Sequence, residues 1–280
     1  LVVNALGCKN VDSLFIDVKS RPKASYTADK VEGCSPVVAT IKNTSKTVSG
    51  DTYLWDFDNG TTSTALNPPP IKYTATGTDS MYKMKFIVSS PGGCADTSIQ
   101  QIEVHSNPIV SFKSSVAKSC ANDTVTFTSE SIGALSWKWY LGDGTTSTDK
   151  LVKHKYTVSG TYTIKLVVTG AFGCTDSISH DVVVNANPTA NYTATAICNT
   201  SPTVFTDFSI GATQWNWDFG DASPIDNSSS PVHLFPHAGT YDVKLKVTNA
   251  FGCADSTTQK ITVRERPRGN FVFKDSCARD

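Results

Sequence analysis

The sequence predicts an all-β protein built as a tandem array of seven-stranded β-sandwiches. Composition is the first reason: charged residues are 18% and hydrophobic ones 39% of 280, and Thr, Ser and Val are abundant, which favours short strands joined by polar turns. The second is a word of alternating aromatics that recurs three times. The third is a strand of period-two hydrophobicity downstream of each word.

The aromatic word reads Tyr53-Leu-Trp55-Asp-Phe57-Asp-Asn-Gly60, Trp137-Lys-Trp139-Tyr-Leu141-Gly-Asp-Gly144 and Trp215-Asn-Trp217-Asp-Phe219-Gly-Asp-Ala222. Alternation places Trp215, Trp217 and Phe219 on one face and Asn216 and Asp218 on the other, so Trp55, Trp139 and Trp217 are expected in the core rather than on a sugar-stacking surface. The Gly-Asp that follows turns the chain, because glycine accepts positive φ and Asp bonds nearby amides.

Next come Tyr82-Lys-Met84-Lys-Phe86-Ile-Val88, Tyr162-Thr-Ile164-Lys-Leu166-Val-Val168 and Tyr241-Asp-Val243-Lys-Leu245-Lys-Val247. Apolar residues at every second position mark each as a half-buried strand. Tyr162 and Tyr241 stand two residues after Gly160 and Gly239, where the tyrosine corner of an immunoglobulin-type sandwich begins its sixth strand. Gly77 stands five residues before Tyr82, which predicts a longer turn in the first copy. Gly-Cys-x-Asp follows at Gly93, Gly173 and Gly252, then a last alternating strand, then Pro108, Pro188 and Pro267 opening the next copy.

The expected organisation is therefore three immunoglobulin-like domains at 22–107, 108–187 and 188–267. Residues 1–21 match the last two strands of a preceding copy and 268–280 the first strand of a following one, so the chain reads as cut from a longer array.

Several function classes are excluded early. Lys+Arg and Asp+Glu both number 25, so no net field draws nucleic acid. No apolar run reaches the roughly 18 residues of a spanning helix, so no membrane insertion is expected. The first residues lack a basic segment and cleavage pattern, placing any export signal outside them. No Gly-x-Ser-x-Gly, phosphate-binding loop, His-Glu-x-x-His or EF-hand loop is present, so an enzyme is not expected. His233 and His237 are four apart, but Pro236 breaks the helix that would bring them together on a metal.

The words reach a family at Trp217-Asp-Phe-Gly-Asp221, His233 and Gly239-Thr-Tyr241-Asp-Val-Lys-Leu-Lys-Val247. This set resembles the PKD (polycystic kidney disease) domain, an immunoglobulin-like sandwich, and the resemblance covers all three copies. Copy two departs with Tyr140-Leu141 in place of Asp-Phe. Copies carrying Gly-Cys-x-Asp look like those of very large Bacteroidota surface proteins exported by the type IX route, gliding-motility adhesins of the SprB kind among them. The resemblance implies structural stalk repeats of an extracellular, cell-surface adhesin or filament. The alternative it implies is a carbohydrate-binding accessory module of a secreted hydrolase. Expected partners are the neighbouring domains of the same chain, surface polysaccharide and other cell-surface proteins. No cofactor is expected apart from calcium, which some such domains bind and for which Asp56, Asp58, Asp218 and Asp221 are candidates. Turn formation accounts for the same carboxylates.

Eight cysteines stand at 8, 34, 94, 120, 174, 198, 253 and 277, none in a C-x-x-C pair, which points to disulfides in an oxidising compartment rather than zinc or redox chemistry. Pairing within copies would join Cys34 with Cys94, Cys120 with Cys174 and Cys198 with Cys253. In a seven-stranded count the first cysteine ends strand one at one pole while Gly-Cys lies at the other, roughly 25 Å away, too far for a disulfide. Abutting poles of successive domains favour Cys34 with Cys174 and Cys120 with Cys253 instead.

Asp-Ser/Thr followed by a small or apolar residue resembles the O-glycosylation sequon of exported Bacteroidota proteins. It nominates Ser13, Ser177 and Ser256, and further Ser80 and Thr124, as glycan sites.

Overall fold

A computed structural model describes residues 2–3, 9–10, 20–195, 198–267 and 269. It is all-β apart from one turn of 3-10 helix at Ala171–Gly173, and its side chains gather into three separate hydrophobic cores, one per copy. Ser13, Cys8 and Cys277 lie outside the described residues, as do most of 1–21 and 268–280. Val2–Val3 and Lys9–Asn10 pair antiparallel.

The second copy displays the plan most fully. One sheet orders Phe112–Ser114, Thr124–Ser129 and Leu151–Lys155. The other orders Lys118–Cys120, Thr175–Asn185, Gly160–Thr169, Ser136–Tyr140 and Thr146–Ser147. The first strand is thus split in two. Its leading half pairs antiparallel in the small sheet, and its trailing half crosses over to run parallel with the end of the last strand. The sequence predicts one first strand ending at the cysteine; the structure divides it in two, since each half hydrogen-bonds a different sheet.

The first copy repeats the split with Tyr26–Ala28 against Ile41–Asn43 and Glu32–Cys34 parallel to Glu103–His105. The third has Tyr192–Ala194 against Thr203–Asp207 and, among the described residues, a parallel bridge from Cys198 to Arg264.

Period-two alternation explains the cores. In the Tyr strand of the third copy, Val243, Leu245 and Val247 are fully buried while the intervening lysines face outward. Trp55, Trp139 and Trp217 are each 0% exposed. Burying an indole ring contributes about 2 to 3 kcal/mol provided its N–H finds an acceptor. Each does so in the same way: Nε1 donates to the Ala65, Asp149 and Ser228 carbonyls at 2.9, 2.8 and 3.0 Å.

The tyrosine corners also follow the glycine spacing. Tyr162 and Tyr241 Oη donate to the carbonyls of Val158 and His237, four residues upstream, whereas Tyr82 Oη reaches Thr74, eight upstream. The longer turn of the first copy accounts for that reach.

The turn after the Trp strand has a steric requirement. Gly220 has φ 74° and a Cβ there would lie 2.7 Å from the Asp242 carbonyl oxygen. Gly142 is placed likewise, at φ 84° and 3.0 Å from Thr163. The first copy puts Asp58 at this position, in the left-handed region at φ 58°, and its carboxylate accepts the Lys83 amide at 2.8 Å. That bond offsets part of the backbone strain.

Candidate functional site at the domain junctions

The chemistry-bearing residues that the fold draws together lie where one domain meets the next. The trailing half of each first strand and the end of each last strand leave the domain side by side, Cys34 opposite His105 and Cys120 opposite Asn185. The Gly-Cys turn sits at the other end. Cys94 immediately precedes the 11-residue strand Ala95–His105, so it is separated from Cys34 by roughly 30 Å of extended chain, and the within-copy pairs Cys34–Cys94, Cys120–Cys174 and Cys198–Cys253 are not formed.

The structure joins Cys34 to Cys174 and Cys120 to Cys253, with Cα atoms 5.5 and 5.6 Å apart. Cys174 and Cys253 are each 1% exposed. The surrounding backbone is the same at both junctions. Ser35 and Ala121 amides donate to the His105 and Asn185 carbonyls, and Asn107 and Asn187 Nδ2 donate to the Ser35 and Ala121 carbonyls.

Cys94 and Cys198 carry no disulfide among the described residues. Their local geometry nonetheless matches that of the joined cysteines. The Asn199 amide donates to Arg264 as Ser35 does to His105, and the Ser90 amide donates to Cys94 as Gly170 does to Cys174.

The first junction has an additional polar clamp. His105 is 2% exposed, and its Nδ1 and Nε2 each lie 3.1 Å from a carboxylate, Asp79 Oδ2 and Glu32 Oε1. Hydrogen bonds to Asp79 first and Glu32 second hold its pKa above the ordinary histidine value. The Ser106 amide and then His105 hold Asp79 below the usual carboxylate range. The imidazole also stacks on Phe172 of the second domain. At the second junction Asn185 replaces the histidine, and Asn249 Nδ2 donates across the boundary to the Ala186 carbonyl at 2.8 Å. The sequence reading singled out neither His105 nor Phe172. A signal existed in Phe-Gly-Cys, which recurs at Phe172 and Phe251.

Within the domains, the signature aspartates build turns. Asp56 Oδ1 accepts the Asp58 amide and Asp218 Oδ1 accepts the Gly220 amide. Asp221 Oδ1 takes both the amide and hydroxyl of Ser223, and its Oδ2 meets His233 Nε2 at 2.7 Å. Burial pushes Asp221 up, but the Ser223 and His233 bonds outweigh it and hold the carboxyl below its ordinary value. Asp143 and His154 repeat this pair at 2.7 Å. These carboxylates are taken up by turn hydrogen bonds, and among the described residues no group of three or more His, Cys, Asp or Glu side chains converges on one point. His237 is exposed, with its carbonyl serving Tyr241, and does not join His233.

Of the nominated glycan sites, Thr124, Ser177 and Ser256 are exposed at strand beginnings and Ser80 is half-buried. No helix among the described residues is long and apolar enough to cross a membrane.

A family model described as PKD domain matches residues 105–184 and again 182–264, together more than half of the chain. The chain belongs to the PKD domain family. Sequence relatives include the pre-pro-metalloprotease PrtV of Vibrio cholerae serotype O1, 31% identical over 134 residues, which covers 45% of this chain and 14% of that protein. Polycystin-1-like protein 1 of Mus musculus is 26% identical over 203 residues, 66% of this chain and 7% of that protein. The chain therefore spans a small part of the curated relatives it matches. Among solved structures, the PKD1 domain of Vibrio cholerae metalloprotease PrtV is 26% identical and covers 28% of this chain and 98% of its own, with a TM-score of 0.26. The PKD domains here are thus an immunoglobulin-like tandem array with a disulfide at each of the two described junctions.

Proposed function

We propose that this chain is a stalk segment of a very large extracellular surface adhesin or filament, whose repeats carry distance and force while binding occurs elsewhere. The observation that carries this reading is the pair of cross-domain disulfides: a bond from each domain to the next restricts bending at the junction. Burial of all three signature tryptophans supports it over a carbohydrate-binding accessory module, which needs aromatics on an open face. Disulfides favour an oxidising, extracellular setting.

The finer placement follows the Gly-Cys-x-Asp resemblance: a cell-surface adhesin of Bacteroidota, exported by the type IX route and serving adhesion or gliding. Glycans at Ser177, Ser256 and Thr124 would sit on the rod's exterior, and Ser80, half-buried, is the less open of the nominated sites. Its partners are the neighbouring domains and, at the cell surface, polysaccharide or other surface proteins. No catalytic role is assigned.

Deleting two repeats from the full-length protein tests the stalk reading. Filaments imaged on the cell surface should shorten by two domain lengths while binding by the remainder persists. Unchanged filament length, or loss of a soluble hydrolase's activity on polysaccharide instead, would overturn it.

A further inference from the structure

Each described junction is crossed by two covalent connections. At the first, the backbone passes from His105 through Ser106 and Asn107 to Pro108, and the Cys34–Cys174 bond runs beside it. At the second, the backbone passes from Asn185 through Ala186 and Asn187 to Pro188, beside Cys120–Cys253. The parallel pairing of Glu32–Cys34 with Glu103–His105, and of Lys118–Cys120 with Val183–Asn185, makes both connections leave a domain in the same direction. Each receiving cysteine directly precedes a last strand, Thr175–Asn185 or Ala254–Val263.

Covalent bonds can then be followed along two lines. One takes the first strand of domain one to Cys34, crosses to Cys174, follows the last strand of domain two and enters the first strand of domain three. The other takes the last strand of domain one, enters the first strand of domain two to Cys120, and crosses to Cys253 and the last strand of domain three. Both lines keep the same chain polarity, and in each domain they lie next to one another. Residues 35–93, 121–173 and 199–252, which hold the Trp and Tyr strands and most of each core, lie on neither line.

We propose that the array is a two-line covalent cable: every junction holds after a single backbone cut, and the core strands of each domain sit off the path of tension. Disulfides within copies would not do this, because a cut between domains would then release the pieces. The connectivity stands independently of the stalk reading, and only its use in carrying force rests on that reading.

The test inserts a specific protease site between Ala186 and Asn187, both exposed, in the otherwise intact chain. After complete cleavage, a non-reducing gel should show one species of full mass. Dithiothreitol, which reduces each disulfide to two thiols and is itself oxidised to a cyclic disulfide, should split it into the pieces 1–186 and 187–280. Two pieces without reductant would overturn the cable. The double variant C120S/C253S, cut in the same way, should fall apart without reductant. Non-reducing peptide mapping of the unaltered chain decides the matter if the insertion disturbs folding: a Cys120–Cys253 peptide supports the cable and a Cys120–Cys174 peptide sinks it. A chain that stays joined after cutting yet forms no surface filament would leave the connectivity standing and remove the stalk.

Discussion

His105 of the first domain stacks on Phe172 of the second, with ring centroids 3.7 Å apart and planes within 10° of each other. Two carboxylates, Asp79 and Glu32, hold the imidazole edge-on, and Glu103 adds a more distant negative charge. Phe172 meets it from a left-handed backbone position at φ 58°.

The two carboxylates on His105 predict a pH dependence. The raised His105 pKa means that its contribution is complete below the ordinary histidine value and is lost as pH rises through the folded-state value. His105→Asn, which copies the residue that the second junction uses, removes this contribution. Thermal melts should separate wild type from variant most at pH 5.5 and least at pH 9. A gap that is constant across this range would contradict the clamp.

The Asp221–His233 pair predicts the opposite limb. Asp221 is depressed, so its contribution is present above the unfolded-state value of an aspartate and lost as pH falls through the lower folded-state value. Asp221→Asn should cost about 1 to 3 kcal/mol at pH 7, because a buried acceptor is lost and His233 is left without its carboxylate. Denaturant titrations at pH 7 and pH 3 should show the variant converging on wild type in acid.

Trp217→Ala should destabilise the third domain by about 3 to 5 kcal/mol, through the cavity and the loss of its ring contacts with Tyr192 and Phe205. Trp55→Ala and Trp139→Ala should do the same to their own domains. Calorimetry of the single variants, each set against the wild-type trace, would reveal which transition moves. A sugar-binding role would instead show unchanged melting with lost glycan affinity.

Gly220→Ala places a methyl group 2.7 Å from a backbone oxygen at φ 74°. Its cost should be at least about 2 kcal/mol, more than a helix-type Gly-to-Ala exchange could return. Asp58→Gly at the matching turn relieves a strained φ but deletes the bond to the Lys83 amide, so its net effect should stay within about 1 kcal/mol of zero. Urea midpoints of the two variants check the contrast.

The fold was legible in the sequence because its cues are local and periodic. Val243, Leu245 and Val247 announce one buried face by spacing alone, and the recurrence of Trp55, Trp139 and Trp217 marks three cores. Glycine spacing before Tyr82, Tyr162 and Tyr241 even carries the lengths of the three corner turns, since each hydroxyl must reach a carbonyl on its own loop. The split first strand was not legible. Whether Phe112–Ser114 and Lys118–Cys120 join one sheet or two depends on which neighbour offers free backbone groups, and no residue pattern records that.

At the junctions the division is sharper. Residue order alone supplied the cysteines, their recurrence and the turn that holds the second of each pair, because turn chemistry is written in adjacent residues. Counting strands from pole to pole favoured Cys174 over Cys94 as the partner of Cys34, and that is the bond formed. The choice rests on where the poles of separate domains come to lie, with Cys34 and Cys94 at opposite ends of an 11-residue strand and Cys174 carried to Cys34 by the next domain. The His105–Phe172 stack has the same origin. Its two residues lie in different domains and share no local pattern, so their meeting depends on how one sandwich packs against the next.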